Sequence, residues 1–151
     1  MPKHPHYKLD FNQITKYIYI GTNTCCQLHF DERLREIGIG ADISVEGERL
    51  DAPYGVWLYL WLPVQNAYAP TKNQFLAGVA AINQIIKQKN KVFVHCEKGH
   101  GRAPTLVAAH LLTQGYTIEK AISLLQEKRP VIHLNKRQIN ALKKFSKIIK
   151  N

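Results

Sequence analysis

Short apolar runs, each ended by a turn or a polar residue, predict the strands of a sheet. These runs are Tyr17–Ile20, Ala41–Val45, Val56–Leu62 and Lys91–His95. They contain many β-branched and aromatic residues, as strands do. The run from Val56 to Leu62 is almost wholly apolar, which indicates a strand covered on both faces. Pro63 ends it, and the residues from Val64 to Pro70 are predicted to form a loop.

Apolar residues that recur every three or four positions predict helices between and after these strands. The helical faces comprise Phe30, Leu34 and Ile37, then Phe75, Val79, Ile82 and Ile86, then Val107 to Leu111, Ala121 to Leu125 and Ile139 to Ile149. Thr71 with Gln74, and Asn135 with Gln138, have the spacing of capping boxes. The expected fold is α/β, a small, mostly parallel sheet flanked by helices on both faces.

The composition fits a single folded domain, predicted to span residues 1–151. Of the 151 residues, 45% are hydrophobic and 21% are charged, which excludes the disordered and fibrous classes. No apolar run reaches the roughly 18 residues that a membrane span needs, so stable membrane insertion is not expected. Met1–His6 leads into polar sequence without a signal-peptide core, so a cytoplasmic location is expected.

The net charge indicates which partners the chain would bind, and the cysteines indicate its redox state. A net charge of +10 favours anions such as phosphate esters, anionic lipids or nucleic acid, although much of it lies on predicted helices of the last third. Cys25, Cys26 and Cys96 form a poor disulfide framework, and no group of cysteines and histidines has zinc-finger spacing. Reduced thiols are therefore expected, with no metal site and no cofactor.

The segment that carries the chemistry is Val94–Thr105, with the sequence V-H-C-E-K-G-H-G-R-A-P-T, between a predicted strand and a predicted helix. In such a turn the backbone N–H groups can surround a phosphate, and the helix N-terminus adds its own donors. Glycine permits positive φ and close approach of the backbone to a ligand. The predicted phosphate-binding residues are Glu97, Lys98, Gly99, His100, Gly101 and Arg102.

Cys96 is the predicted nucleophile and Arg102 the predicted phosphate clamp. Donors that hold a phosphate also favour the thiolate of Cys96, which is the form that attacks phosphorus to give a phosphocysteine. The planar fork of Arg102 suits two equatorial phosphate oxygens. A lone cysteine after an apolar strand is usually buried and inert, but a cysteine, two glycines and an arginine at this spacing are far more specific.

The motif His95-Cys96-(five residues)-Arg102 resembles the signature of protein tyrosine and dual-specificity phosphatases. Its Gly-His-Gly-Arg version is similar to small bacterial members. The resemblance implies a dual-specificity phosphatase-like fold and a cysteine-dependent phosphatase acting on phosphotyrosine, phosphoserine or phosphothreonine. It also implies that His95 helps to order the loop and the thiolate.

Two further stretches carry the same resemblance. Ile14–Gly21 is similar to the "I-T-x-x-L-Y-L-G" strand of dual-specificity phosphatases. Arg129–Asn135, followed by Gln138 and Leu142, is similar to their C-terminal "R-P-x-x-x-x-N-x-x-Q-x-x-x-L" stretch, which makes Asn135 a predicted supporting residue. The resemblance covers roughly Ile14 to Phe145.

Two positions depart from the family pattern. The family's general acid is an aspartate on the loop after the preceding strand, whereas Gln65 stands at or near that place. The hydroxyl residue that usually follows the loop arginine is Ala103, so slow turnover is expected, with Thr105 a partial substitute at most. A placed acid is typically worth 10²–10⁴-fold. The candidate substitute acids are Asp51, Glu46, Glu48 and His100.

Three functions remain open at this point. The first is a phosphatase that hydrolyses phosphate monoesters on phosphorylated proteins, anionic lipids or RNA. The second is a phosphatase-like binding module with weak turnover, which Gln65 and Ala103 favour. The third is a sulfurtransferase, against which the spacing of Arg102 and the stretch from Arg129 to Gln138 argue. Lys98 and His100 are expected to suit a polyanionic head group.

Overall fold

The computed structural model describes residues 8–150, so the predicted polar start at Met1–His6 lies outside the described residues. Five strands form one sheet in the order β1-β2-β5-β3-β4. They are β1 (Phe11–Gln13), β2 (Ile18–Gly21), β3 (Ile39–Ser44), β4 (Leu58–Trp61) and β5 (Lys91–His95). β1 runs antiparallel to β2, and the other neighbours are parallel. The predicted mostly parallel α/β sheet is confirmed.

Within residues 8–150, five α-helices accompany the sheet, together with a short 3₁₀ turn at Asn23–Cys25. The helices are α1 (Glu32–Glu36), α2 (Lys72–Lys87), α3 (Arg102–Thr113), α4 (Ile118–Lys128) and α5 (Lys136–Ile149). Both predicted capping boxes are present, at the starts of α2 and α5. None of the described helices combines the length and the apolar character needed to cross a bilayer.

The hydrophobic core has two parts, on opposite faces of the sheet, and successive side chains of β5 point to one and then the other. Val92 and Val94 face the larger core, which contains the apolar faces of α2, α3, α4 and α5. Phe93 faces the smaller cluster on the opposite side, together with Phe30 and with Leu34 of α1. Because side chains alternate along a strand, His95 lies on the same side as Phe93. The strand therefore ends with its last side chain turned away from the larger core.

Two predictions about strands were wrong. β4 was expected to be covered on both faces, but it is an edge strand; Leu58, Tyr59 and Leu60 are half-buried and Trp61 is 38% exposed. An edge strand lacks a neighbour on one side, so its large apolar side chains stay partly in water. β1 was missed because its three residues carry no apolar alternation, and it is formed by pairing with β2.

The expected reduced state of Cys25 and Cys26 is also corrected. The structure joins these adjacent residues in a disulfide, with both side chains buried in the smaller core cluster. The 3₁₀ turn ends at Cys25, the first residue of the pair. The odd cysteine of the three is Cys96, which is free and buried. An odd cysteine count therefore did not exclude a pair.

His110 connects α3 to α2 within the larger core. Its Nδ1 lies 2.6 Å from Oδ1 of Asn83, so the ring N–H donates to the amide oxygen. The imidazole is only 5% exposed. Burial disfavours the charged ring and lowers the pKa of His110 to about 4.

We expect His110 to make the fold less stable at acid pH. Between pH 6.5 and about 4 the unfolded chain binds a proton on this ring and the folded chain does not. The free energy of unfolding should therefore fall by roughly 3 kcal/mol across that interval. Denaturant unfolding of the wild type and of His110→Gln at several pH values measures the effect. Equal pH slopes in the two proteins would show that His110 does not titrate in this way.

Candidate active site

The predicted phosphate loop connects the end of β5 to the start of α3, as the sequence indicated. Gly99 has a φ of +70°, and a Cβ at this position would come within 2.8 Å of the Gly21 carbonyl oxygen. A Cβ on Gly101 would lie 3.0 Å from the Gln138 amide. Both positions therefore favour glycine, the first because of its backbone angle and its neighbour, the second because of close packing.

Five consecutive loop carbonyls, from residue 97 to residue 101, accept hydrogen bonds from the surrounding protein. The backbone N–H of Asn23 donates to Glu97 O, and that of His133 donates to His100 O. The Arg129 side chain donates to Lys98 O and Gly99 O, and Thr105 donates to Gly101 O through both its N–H and its hydroxyl. A loop whose carbonyls are all bound on its outer side leaves its N–H groups for the inner side. This is the arrangement that an oxyanion site requires.

Arg129 is the main anchor of the loop. Its side chain is 1% exposed and binds the carbonyls of Lys98 and Gly99 at 2.9 and 3.1 Å. The same guanidinium binds Asn12 Oδ1 at 2.8 Å and Asp10 Oδ2 at 3.2 Å. Sequence reasoning placed Arg129 in a family-like stretch without giving it a role. The signal was its position before Pro130, but two of its partners lie in the phosphate loop, about 30 residues earlier, and the other two lie near the start of the chain, at Asn12 and Asp10.

Cys96 and Arg102 line the same pocket, which has a volume of about 220 Å³. The pocket is lined by Asn66, Ala67, Cys96, Glu97, Lys98, His100, Gly101, Arg102, His133, Asn135 and Gln138. The structure thus brings together five of the six predicted phosphate-binding residues, with Gly99 behind them as the turn. Asn135, the predicted supporting residue, is also part of the wall.

Arg102 begins α3 and is 3% exposed. Its Nη1 donates to both carboxylate oxygens of Glu48, at 2.7 and 3.0 Å, and to the Val64 carbonyl at 2.8 Å. The guanidinium is therefore held in position from one side by an ion pair and a backbone oxygen. Charge-assisted bonds of this kind fix the plane of the fork.

The loop opposite the phosphate loop presents a different residue from the one expected. Gln65, placed at or near the family's acid position, lies outside the pocket lining, whereas Asn66 and Ala67, which are exposed as Gln65 is, line the pocket. Ala67 has a φ of +68°, and its carbonyl accepts from Asn135 Nδ2 at 2.9 Å. This turn decides which side chain faces inward. The assignment of Gln65 is corrected to Asn66, which is also an amide.

The four candidate substitute acids lie in different places. Asp51 and Glu46 are buried outside the pocket lining, bound to Arg49 and to Asn23 respectively. Glu48 is bound to Arg102. Of the four candidates, His100 is the one that lines the pocket.

His100 is suited to stay neutral near pH 7. Burial, followed by the positive charges of Arg129, His133 and Lys98, lowers its pKa below the usual range for histidine. A neutral imidazole does not act as a strong proton donor, and it adds no positive charge to the pocket. Of the two side chains expected to suit a polyanionic head group, His100 therefore contributes as a neutral ring near pH 7.

The residues after the loop do not restore the missing hydroxyl. Ala103 is fully buried in the first turn of α3. The Thr105 hydroxyl donates to the Gly101 carbonyl at 2.7 Å and is not part of the pocket lining. Thr105 therefore supports the loop from outside and does not replace the family hydroxyl.

His95, predicted to help order the loop, lies behind it on the α1 side and is fully buried. Its Nε2 is 3.1 Å from Asp42 Oδ1, 3.5 Å from Asp51 Oδ2 and 3.6 Å from Cys26 Sγ. Burial opposes the charged ring, but the carboxylates of Asp42, Asp51 and Glu46 outweigh it and raise the pKa of His95. Sequence reasoning missed this cluster because its members are far apart in the chain.

Comparisons with known proteins agree with this geometry. A family model described as "Dual specificity phosphatase, catalytic domain" matches residues 18–148. Rat dual specificity protein phosphatase 5 is 26% identical over 129 residues, which cover 82% of this chain and 32% of that protein. Tyrosine-protein phosphatase yvh1 of Schizosaccharomyces pombe is 27% identical over 151 residues, which cover 90% of this chain and 41% of that protein. The chain thus spans between about a third and two fifths of these relatives.

A solved structure shows the same fold. The crystal structure of PTPMT1 in complex with PI(5)P matches with a TM-score of 0.78 and 23% identity, over 93% of this chain and 96% of that one. The predicted dual-specificity phosphatase-like architecture is confirmed. Because the family model covers residues 18–148 of a 151-residue chain, the chain belongs to the dual specificity phosphatase family of cysteine-dependent phosphatases.

Proposed function

We propose that this chain hydrolyses phosphate monoesters through a phosphocysteine on Cys96, with Arg102 as the phosphate clamp. The observation that carries the proposal is that both side chains line one pocket at the start of α3, beside a loop whose carbonyls from residue 97 to residue 101 all accept hydrogen bonds from the surrounding protein. Inward N–H groups and a helix N-terminus favour both a thiolate and a bound phosphate. A binding module with weak turnover is not favoured, because nucleophile and clamp occur together.

The proposed reaction has two steps. The Cys96 thiolate attacks phosphorus, the bond to the leaving oxygen breaks, and that oxygen takes a proton. Water then attacks the phosphocysteine, and inorganic phosphate and the thiolate are released. Arg102, already oriented by Glu48 and Val64, offers the rest of its fork to the equatorial oxygens where charge is spread in the transition state.

We propose phosphorylated proteins as the first substrate class and phosphoinositides as the second. The second is supported by the PTPMT1 complex with PI(5)P and by a basic groove beside the pocket, which includes Lys72, Lys136, Arg137 and Lys144. Arg137 also stacks over the Tyr68 ring, 3.9 Å from its centroid. RNA, the third class expected from the charge, gains no comparable support. The cytoplasmic location and the single domain over residues 1–151 stay predictions from sequence.

We expect Cys96→Ser to abolish hydrolysis of every substrate while phosphate-ester binding is retained, because serine is a much weaker nucleophile in the same pocket. Arg102→Lys should also be severely impaired, since a point charge cannot replace the bidentate fork. A panel of phosphotyrosine and phosphothreonine peptides, phosphoinositides and nucleotides measures this and ranks the substrate classes. Full activity of Cys96→Ser on any of them would refute the assignment of the nucleophile.

The amide of Asn66, in place of a carboxylic acid, predicts how the rate depends on the leaving group. Without a placed acid, rates should fall steeply as the pKa of the leaving group rises. Asn66→Asp should install an acid in the pocket and raise the rate on alkyl phosphates by up to about 10²-fold, the low end for such catalysis. The first step is followed as a burst, because Ala103 is expected to slow breakdown of the phosphocysteine.

Gln65→Asp is the matched control for this experiment. It adds the same carboxylate one residue away, on an exposed side chain outside the pocket lining, and should leave the rate unchanged. A gain with Gln65→Asp and none with Asn66→Asp would restore the original sequence alignment. A shallow leaving-group dependence in the wild type would show that another residue supplies the proton.

A further inference from the structure

Behind the phosphate loop, four buried side chains with metal-binding atoms meet on the α1 side of the sheet. They are Cys25 and Cys26 after β2, Asp42 on β3 and His95 at the end of β5. One ligand atom from each lies within 4.8 Å of every other. None of the steps proposed for phosphate hydrolysis places a reacting atom on this cluster, although its member His95 adjoins Cys96 in the chain.

Two of the ligand–ligand separations in the cluster are close to those of a tetrahedral zinc site. Nε2 of His95 is 3.1 Å from Asp42 Oδ1 and 3.6 Å from Cys26 Sγ. With ordinary zinc–ligand distances, the nitrogen–oxygen edge of a tetrahedron is about 3.3 Å and the nitrogen–sulfur edge about 3.5 Å. The imidazole nitrogen and the two neighbouring ligand atoms are therefore already at the separations that one shared ion would impose.

The Asp42 carboxylate is the second observation that points to a cation. Its side chain is 0% exposed, and neither oxygen has a hydrogen-bond partner among residues 8–150. Oδ1 does lie 3.1 Å from Nε2 of His95, which is close enough for an ion pair. His95 also faces Asp51, whose other oxygen binds Arg49 at 2.7 Å. A buried carboxylate is costly unless it is paired or coordinates a metal, and one imidazole is shared between two of them.

We propose that these four side chains bind one zinc ion when the Cys25–Cys26 disulfide is reduced. A dithiol reductant supplies two electrons and two protons and itself becomes a disulfide, which leaves Cys25 and Cys26 as thiols. Zinc then displaces one proton from each thiol and any proton held on Nε2 of His95, which becomes the nitrogen ligand. Two thiolates, a neutral imidazole and a carboxylate give the four N, S and O ligands that zinc accepts, with the same ligand charge as a Cys₃His site.

Such a site is structural, because four protein ligands leave no open position for substrate. It connects the turn after β2 to β3 and β5 directly behind Cys96, whose neighbour in the chain is the ligand His95. Oxidation to the disulfide removes both sulfur ligands at once. Metal content therefore depends on the redox state of a pair of cysteines distinct from the nucleophile.

The wild-type chain in its two redox states provides the first test. Protein reduced with a dithiol, freed of reductant without air and titrated with Co²⁺ should bind one ion per chain. Its spectrum should show thiolate-to-cobalt charge transfer and the visible bands of tetrahedral cobalt, both lost on addition of Zn²⁺. The disulfide form should bind none. No stoichiometric binding by the reduced protein, or equal binding by both forms, would overturn the proposal.

Zinc-edge X-ray absorption of the reduced wild type tests the ligand set without any substitution. The proposal requires two sulfur and two nitrogen or oxygen neighbours. A shell without sulfur would contradict it.

Variants locate the site. Cys26→Ser and Asp42→Asn should each weaken zinc binding by more than about tenfold, since even outer partners of a metal ligand are worth that much. Cys96→Ser is the matched control, because Cys96 is buried and free but lies outside the cluster, and it should bind zinc as the wild type does. Loss of binding in Cys96→Ser alone would place the metal in the catalytic pocket and refute the site.

Discussion

The hydrogen bonds to the outer side of the phosphate loop are the constraint on which the rest of the site depends. Arg129 binds two consecutive loop carbonyls, and the bonds from Asn23, His133 and Thr105 bind the others. A short backbone segment cannot turn its carbonyls outward without presenting its N–H groups on the opposite side. The anion site is therefore produced mainly by the backbone, and the side chains of Cys96 and Arg102 are placed at its two ends.

At the end of β5, two adjacent residues face two different sites. Cys96 lines the phosphate pocket, while His95 points to the α1 side and meets carboxylates and the cysteine pair. The buried carboxylates behind the loop raise the pKa of His95 although burial opposes it, so their charge acts on the residue next to Cys96, the proposed nucleophile. A change in the rear cluster would reach Cys96 through the position of its neighbour.

Sequence patterns predicted the features that are determined by residues close together in the chain. The Gly-rich loop, the capping boxes at Thr71 and Asn135 and the strand at Lys91–His95 each follow from residues close together in the chain. The bonds of Arg129 to Asn12 and Asp10 and the meeting of Cys26 with Asp42 arise from strand order, which no local pattern contains.

The inward side chain of the loop after β4 shows the limit of spacing arguments. Counting residues suggested Gln65, but the positive φ of Ala67 and its bond to Asn135 turn Asn66 into the pocket. The residue that faces a substrate was set by a turn conformation and by a contact from α5, 68 positions away. Neither is visible as a motif.

If Cys96 is the nucleophile, it becomes phosphorylated during turnover. Rapid acid quenching with an activated aryl phosphate, followed by mass spectrometry of the peptides, measures it directly. Because Ala103 lacks the hydroxyl that assists breakdown, the account predicts a phosphocysteine that accumulates on the peptide carrying Cys96 before steady state. Turnover with phosphate on another residue, or with a burst of leaving group and no phosphate on Cys96, would contradict it.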